Sequence, residues 1–136
     1  MNEFLWPVRV YYEDTDSGGV VYYANYLKFM ERTRTEWLRH LGFEQDELIQ
    51  NEAVIFAVRS VQVDYLLPAR FNQELSVSAK LIEQGRASLT IEQGITRSTD
   101  NALLCKGIVK IVSLRPDSFK PCAIPENIKQ KLEQGA

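Results

Sequence analysis

The chain has 136 residues, of which 45% are hydrophobic and 25% are charged, with a net charge of −2. This length predicts one domain, over residues 1–136, that buries about two-thirds of its unfolded surface. The weak negative charge argues against a nucleic-acid partner. No apolar stretch approaches the ~20 residues of a membrane span, and the N-terminus lacks a signal-peptide pattern. We therefore expect a cytoplasmic protein without membrane insertion.

The first predicted element is a strand over Pro7 to Glu13. Apolar Val8, Val10 and Tyr12 alternate there with the residues between them, which is the period of a half-buried strand. The strand leads into a turn rich in Asp and Gly.

A long amphipathic helix is predicted next, from Tyr26 to Leu41, because apolar residues recur there with a helical period. Asn25 precedes it as the expected N-cap. Gly42 follows it as a residue suited to the C′ position, where a left-handed backbone ends a helix. A shorter helix is predicted over Gln45 to Asn51.

The remainder of the chain predicts mostly sheet. Apolar residues alternate with polar ones in three segments: Val61, Val63 and Tyr65; Leu75, Val77, Ala79 and Leu81; Leu89 and Ile91. Leu103 to Leu114 is more continuously apolar, which is typical of a central strand or of one covered at a subunit contact. A terminal helix is predicted over Ile124 to Gln134, with Pro125 near its start.

One long helix facing an antiparallel sheet is an α+β architecture. We expect the helix to cover one apolar face and the opposite face to remain partly apolar through Val109 and Ile111, which would favour a partner subunit there. Cys105 and Cys122 have no metal-ligand spacing and are predicted to be reduced structural thiols. We expect no metal and no cofactor.

The turn between the first strand and the long helix is the candidate active site. Asp14 and Asp16 precede Gly18 and Gly19, and a helix begins shortly afterwards. A helix N-terminus presents unpaired N–H groups and partial positive charge, so a reacting carbonyl could be polarised there. An upstream Asp could attack that carbonyl or activate water against it.

Other loops with similar residues fit less well. A calcium loop that opened at Asp14 would require a bidentate Glu at its twelfth position, where the chain has Asn25. The glycine patterns that bind nucleotide phosphates are also missing. A solvated Asp/Gly turn without function remains the alternative that these residues leave open.

The segment from Val10 to Tyr26, followed by Glu31-Arg32-Thr33-Arg34, resembles the hotdog-fold acyl-CoA thioesterases. More narrowly, it resembles the 4-hydroxybenzoyl-CoA thioesterase family and its members associated with the bacterial Tol-Pal envelope system. The later segment from Val63 to Ala69 fits the same resemblance, which extends along nearly the whole chain. It implies a hotdog fold, in which a curved antiparallel sheet wraps the long helix, and a homodimer or homotetramer with sites across the dimer interface.

The resemblance also implies roles for individual residues. The catalytic carboxylate falls on Asp16, and Asp14 lies outside that role. Carbonyl polarisation by a backbone N–H maps onto Tyr23, while Gly18 and Gly19 let the main chain approach the substrate. Substrate contacts are expected at Gly18, Gly19, Val21 and Tyr26, where Tyr26 is expected to pack rather than to react.

The chain departs from part of this family at Tyr23. Many Tol-Pal-type members have His there, whereas the 4-hydroxybenzoyl-CoA enzyme has Tyr. Both residues have a backbone N–H, so carbonyl polarisation is possible with either. Tyr lacks the imidazole of His, so a proton-shuttling role of that His is lost. A Tyr side chain could line a pocket for an aromatic acyl group or form a wall for a short aliphatic chain. Whether Asp16 acts as nucleophile or as general base is left open by the residues.

Other polar residues have weaker links to the chemistry. His40, the only His, lies far from the start of the long helix and is expected to be structural or solvated. Glu31 and Arg34 lie one helical turn apart and are expected to pair. The CoA phosphates require cations, for which the candidates are Arg59, Arg70, Arg86 and Lys110.

These residues predict an enzyme that hydrolyses acyl-CoA thioesters to free acid and CoA. The alternative is a module without useful turnover that binds an acyl carrier protein or a phospholipid enzyme. An acyl carrier protein is also a possible partner of the enzyme itself. Acyl-chain preference is not fixed by the sequence.

Overall fold

The computed structural model describes residues 3–135. Its strands and helices follow one another in this order: β1 (Phe4–Arg9), a short 3₁₀ helix (Tyr12–Asp14), α1 (Asn25–His40), α2 (Gln45–Glu52), β2 (Ile55–Tyr65), β3 (Glu74–Gln84), β4 (Ser88–Arg97), β5 (Leu103–Leu114) and α3 (Glu126–Gly135). The five strands form one antiparallel sheet in the order β1-β3-β4-β5-β2. The prediction of a long helix on an antiparallel sheet is confirmed, and β1 and β2 are the two edge strands.

α1 packs its apolar side on one face of the sheet. Its buried residues are Tyr26, Phe29, Met30, Thr33, Trp37 and Leu38. Tyr26, Phe29 and Met30 belong to one core cluster and Trp37 to a second, and both clusters also contain buried residues from β3, β4 and β5. Gly42 has a φ of +101°, and its N–H donates to the carbonyl of Arg39. The predicted end of the helix is therefore confirmed, since a left-handed C′ residue favours glycine.

The start of α1 differs slightly from the expected one. Asn25 is the first helical residue, and Ala24 is the N-cap without a side-chain cap. The prediction of Asn25 as N-cap is thus wrong. Its side-chain Nδ2 instead donates to the carbonyl of Asp14 at 2.8 Å. The amide is used to hold the preceding loop against the helix rather than to cap the helix itself.

β1 is also placed differently, since it ends at Arg9 rather than at Glu13. The backbone N–H of Tyr11 donates to Oδ2 of Asp14 at 2.8 Å, and the chain turns into the 3₁₀ helix. Tyr12, expected on the buried side of the strand, is 81% exposed. The competing local hydrogen bond of an Asp side chain ends the strand early.

The outer face of the sheet, which is turned away from α1, does not contain Val109 or Ile111. Both residues face α1 in the core, where Val109 pairs with Ile91. That expectation was wrong because β5 has apolar residues on both faces, so its sequence does not show which residues face α1. The residues of β5 on the outer face are Lys106, Ile108, Lys110 and Val112.

The shorter helices are close to their predicted positions. α2 extends one residue beyond Asn51. α3 begins at Glu126, two residues later than expected. Ile124 precedes a proline, which disfavours a helical backbone, and its N–H donates to the carbonyl of Arg86. The carbonyl of Pro125 then accepts the first hydrogen bonds of the helix.

Both cysteines are free and buried, as predicted. Burial raises the pKa of Cys105 to about 11, and the charge of Asp64 adds to that shift. The thiol is therefore protonated at neutral pH and unreactive. Among residues 3–135, no helix is long and apolar enough to cross a membrane. The same residues contain no group of three His, Cys, Asp or Glu side chains arranged to hold a metal ion, and the absence of a metal stays a prediction.

The side chain of Met30 in α1 lies directly against Gly107 of β5. A Cβ at Gly107 would lie 3.0 Å from Cε and 3.1 Å from Sδ of Met30, a core residue of α1. A Cβ at Gly94, on the neighbouring strand, would have no contact shorter than 3.5 Å. Glycine at position 107 therefore lets the helix lie close to the sheet.

We expect Gly107→Ala to lower the free energy of unfolding by about 1 kcal/mol, because the added methyl group presses on a packed side chain. The matched variant Gly94→Ala should be neutral or slightly stabilising, by up to about 0.5 kcal/mol. Urea unfolding of the two variants measures the difference. Equal stability of the two would show that the helix has room to move away from β5.

Candidate active site

The candidate loop folds as a small hairpin between β1 and α1. Thr15 pairs with Val21, and the N–H of Asp16 donates to the carbonyl of Val20 at 2.9 Å. The N–H of Gly19 donates to the carbonyl of Asp16 at 3.0 Å. Gly19 has a φ of +78°, in the left-handed region. A three-residue loop that ends in a left-handed residue is a common hairpin connection, and it favours glycine at that position.

The carboxylate of Asp16 is exposed at the start of this hairpin. Its Oδ1 accepts the N–H of Gly18 at 2.8 Å. A Cβ on Gly18 would lie 3.2 Å from the same oxygen and would crowd it. The hairpin thus fixes the orientation of the carboxylate while leaving it open to solvent.

Asp14 has a structural role. Its Oδ2 accepts the N–H of Tyr11, and its carbonyl accepts hydrogen bonds from the N–H of Tyr22 at 3.0 Å and from the side chain of Asn25 at 2.8 Å. These bonds join the end of β1 to the start of α1. Asp14 therefore holds the loop in shape, while its place outside the chemistry stays a prediction.

The start of α1 offers free hydrogen-bond donors. The N–H of Asn25 donates to the carbonyl of Tyr22, but within residues 3–135 the N–H groups of Tyr23 and Ala24 have no hydrogen-bond acceptor. No side chain caps this end of the helix. The positive end of the helix dipole and unpaired N–H groups together favour a developing negative charge.

A shallow pocket of about 260 Å³ opens beside these donors. Its lining brings together three of the predicted site residues with the end of β2 and the segment after it: Val21, Tyr23, Tyr26, Tyr65, Leu66, Leu67 and Pro68. The ring centroid of Tyr65 lies 6.1 Å from that of Tyr23 and 5.5 Å from that of Tyr26. Asp16, Gly18 and Gly19 are outside this lining, on the adjoining hairpin.

Tyr26 is almost fully buried, with 4% exposure. Its hydroxyl accepts the N–H of Ala69 at 3.0 Å, and burial raises its pKa, with a smaller contribution from the charge of Asp16. The carbonyl of Ala69 in turn accepts the N–H of Val21 at 2.8 Å. Tyr26 is thus a packed residue that attaches α1 to the chain beneath the hairpin, and its ring forms part of the pocket.

The contribution of Tyr65, Leu66 and Leu67 was not foreseen. In the sequence, the segment from Val63 to Ala69 is only part of a resemblance, and alternation groups Tyr65 with Val61 and Val63 without showing what it meets. The signal in the sequence is the apolar run Tyr65-Leu66-Leu67 immediately before Pro68, and the structure leaves these three residues exposed, which is unusual for a solvated turn.

His40 and the expected ion pair lie away from this pocket. His40 is exposed at the far end of α1, with its ring 5.4 Å from that of Phe4. Glu31 and Arg34 do not form an ion pair within the described residues. Glu31 instead accepts the hydroxyl of Thr35, and Nη1 of Arg34 donates to Oε1 of Gln93 at 2.9 Å. Arg34 is turned inward to the sheet, where burial lowers its pKa.

The four candidate cations are spread over the molecule. Arg70 lies beside the hairpin, because it pairs with Val20. Lys110 pairs with Ser60, next to Arg59 at an irregularity of β2. Arg86 lies in the turn between β3 and β4. Only Arg70, among these four, adjoins the loop that carries Asp16.

Comparison with known proteins agrees with the fold and identifies a family. The thioesterase-like superfamily matches residues 10–132. The acyl-CoA thioester hydrolase YbgC of Escherichia coli is 44% identical over 131 residues, which cover 96% of each chain. The acyl-CoA thioesterase YbgC of Haemophilus influenzae is 42% identical over 128 residues, which cover 94% of this chain and 93% of that one.

Among solved structures, a 1,4-dihydroxy-2-naphthoyl-CoA thioesterase from Synechocystis superposes with a TM-score of 0.89 over 96% of each chain. At 19% identity, this likeness supports the fold alone. The sequence relatives, at 42% and 44% identity, show the family. The expectation that the protein is a thioester hydrolase is thereby confirmed. The chain therefore belongs to the thioesterase-like superfamily and, within it, to the hotdog-fold acyl-CoA thioesterases.

Proposed function

We propose that the protein hydrolyses acyl-CoA thioesters to free acid and CoA, with Asp16 as the catalytic carboxylate and the N–H of Tyr23 as the polarising donor. The observation that carries this proposal is the position of an oriented, exposed carboxylate on a hairpin joined directly to a helix start with unpaired N–H groups. The names of the YbgC relatives, which are acyl-CoA thioesterases, supply the substrate class.

The reaction requires few groups. The carboxylate of Asp16 either accepts a proton from water while the resulting hydroxide adds to the carbonyl, or adds to that carbonyl itself. The N–H of Tyr23 stabilises the oxyanion that forms. The carbon–sulfur bond then breaks, and CoA leaves as thiol after taking up a proton. In the general-base route this step releases the free acid, whereas in the nucleophilic route it leaves an acyl–Asp16 anhydride that water hydrolyses to free acid and the Asp16 carboxylate. After one turnover in heavy-oxygen water, label in Asp16 identifies the nucleophilic route, because only water that opens the anhydride at the Asp16 carbonyl leaves its oxygen there.

The aromatic pocket is proposed to receive the first part of the acyl group. Tyr23 and Tyr65 flank it, and Val21 and Tyr26 extend its apolar lining. Gly18 and Gly19 allow the main chain of the hairpin to come close to the thioester. Arg70, which lies beside the hairpin, is the candidate cation best placed for the phosphates of CoA.

The functional unit is proposed to be a homodimer, or a tetramer built from such dimers, with the partner lying along β2. β2 is an edge strand, and Val58 and Val61 are exposed on its side toward α1. An apolar edge strand with unpaired main-chain groups favours pairing with another chain. A cytoplasmic location follows from the proposed substrate, while a link to the Tol-Pal system and an acyl carrier protein as partner stay predictions from the resemblance.

Asp16→Asn should lower kcat by at least about 100-fold, because the amide can neither accept a proton nor attack. The matched variant Asp14→Asn keeps an oxygen for the N–H of Tyr11 and should stay within about threefold of wild type. Thiol release from a panel of acyl-CoAs measures both. Undiminished hydrolysis by Asp16→Asn would remove Asp16 from the mechanism. A wild type inactive on every acyl-CoA would favour the binding-module alternative.

Tyr23→Pro should also lower kcat, by about 100- to 1,000-fold, because proline removes the N–H that polarises the carbonyl. Proline is tolerated next to a helix start, so the fold should survive. Tyr23→Phe keeps the N–H and should have a far smaller effect. If the two variants were equally impaired, the side chain rather than the backbone would be the important group.

Sedimentation of the wild type should give the mass of two or four chains. Val61→Asp should shift the protein toward the monomer, because it places a charge at an apolar contact. Val61 is 44% exposed, and Ile82, which lies on β3 and is 41% exposed, provides the matched control Ile82→Asp. A monomeric wild type at assay concentration would contradict a site shared between subunits.

A further inference from the structure

Two further cavities lie along α1 and β2, farther along the helix than the aromatic pocket. The middle cavity, of about 300 Å³, is lined by Leu27, Lys28, Glu31, Arg34, Val58, Val61 and Val109. The far cavity, of about 330 Å³, is lined by Glu31, Arg34, Thr35, Leu38, Gln45, Phe56, Val58 and Ile111. We name the line of three cavities the α1–β2 seam. Glu31, Arg34 and Val58 belong to both of the later cavities, so the seam is continuous there.

The seam leads away from the proposed reaction centre. Leu27 is one helical turn beyond Tyr23, and Val61 is on the same face of β2 as Tyr65. An acyl chain whose carbonyl lies at the N–H of Tyr23, and which runs along α1 past Val63, would then reach Leu27 and Val61. Val109 forms the floor between them. This part of the seam is apolar and suits methylene groups.

The character of the seam changes at Arg34. Oε1 of Gln93, whose side chain is 0% exposed, accepts Nη1 of Arg34. Nε2 of Gln93 donates to the carbonyls of Met30 at 3.1 Å and of Ser78 at 3.2 Å. Because these two bonds use both N–H groups of the amide, its oxygen must face the guanidinium. The buried Gln93 therefore holds Arg34 in one place.

The guanidinium of Arg34 leaves most of its N–H donors facing the seam. A guanidinium has five N–H donors, and within residues 3–135 the only hydrogen bond it makes is the one to Gln93. Methylene groups that cover such donors remove their water without replacing its hydrogen bonds, which is unfavourable. The carboxylate of Glu31 lines the same part of the seam and has the same effect.

We propose that Arg34, held by Gln93, ends the acyl-binding part of the seam and sets an upper limit on the acyl chain. The substrate class is then short- to medium-chain aliphatic acyl-CoA, an inference that rests on the proposed thioesterase function. Tyr23 and Glu31 are eight residues apart, or ~12 Å along the helix, which an extended chain of about ten carbons covers. A longer chain has to pass Glu31 and Arg34, which line both of the later cavities.

The test compares kcat/KM for butyryl-, hexanoyl-, octanoyl- and palmitoyl-CoA in the whole protein, with palmitoyl-CoA kept below its micelle threshold. We expect the wild type to prefer hexanoyl- or octanoyl-CoA over palmitoyl-CoA by at least tenfold. Arg34→Leu should raise the ratio of palmitoyl- to hexanoyl-CoA at least tenfold, mainly through KM, since each buried methylene contributes about fourfold in affinity.

Arg32→Leu is the matched control, because Arg32 is an exposed residue of α1 that lines neither of the two later cavities. It should leave the ratio unchanged. If Arg34→Leu does not fold with Gln93 left unpaired, the double variant Arg34→Leu/Gln93→Leu removes the polar pair together and tests the same ratio.

The outcomes separate this inference from the function on which it rests. A wild type that hydrolyses palmitoyl-CoA as well as hexanoyl-CoA, or a folded Arg34→Leu with the wild-type ratio, would overturn the limit while leaving the thioesterase function intact. Absence of turnover on all four substrates by the wild type would overturn the proposed function and the limit with it.

Discussion

The active-site loop and the start of α1 are joined through the main chain of Ala69. Its carbonyl accepts the N–H of Val21 from the hairpin, and its N–H donates to the hydroxyl of Tyr26 from the helix. Both bonds are buried, where breaking either would leave an unsatisfied polar group. The carboxylate of Asp16 and the N–H of Tyr23 therefore have a fixed relation, although the residues that carry them belong to different local structures.

This arrangement depends on the packing of α1 further along. The helix is held close to β5 at Gly107 and is attached to β4 through the amide of Gln93, which bonds both its backbone and the side chain of Arg34. A buried amide with all its hydrogen bonds satisfied fixes one arrangement of helix and sheet better than aliphatic contacts alone. The height of α1 above the sheet then decides the width of the seam in which we propose that the acyl chain lies.

Much of this fold follows from local chemistry that the sequence displays. The helical period and Gly42 defined the end of α1, and alternation defined β2, β3 and β4. The differences arose where a local pattern fitted two structures. Asp14 could end a strand as well as carry chemistry, and the apolar run in β5 did not show which of its residues face α1.

Only part of the candidate site can be predicted from the sequence, because local patterns show only residues that are neighbours along the chain. The hairpin, Asp16 and the helix start are contiguous in sequence, so their association could be foreseen. Tyr65 comes from a strand about 40 residues later, and Gln93 is a single polar residue in an apolar alternation, so only the three-dimensional register shows what each one meets. No local pattern could assign roles to Asp16 and Tyr23, and their proposed roles come from the resemblance to a family.

The most direct test of the account is a crystal structure with an acyl-CoA analogue in which a methylene replaces the thioester sulfur. The analogue keeps the carbonyl but cannot be hydrolysed. We predict that its carbonyl oxygen accepts a hydrogen bond from the N–H of Tyr23 at about 2.7–3.1 Å, with the carboxylate of Asp16 facing the carbonyl carbon directly or through one water. A carbonyl bound away from the start of α1, with Asp16 facing solvent, would contradict the proposed mechanism.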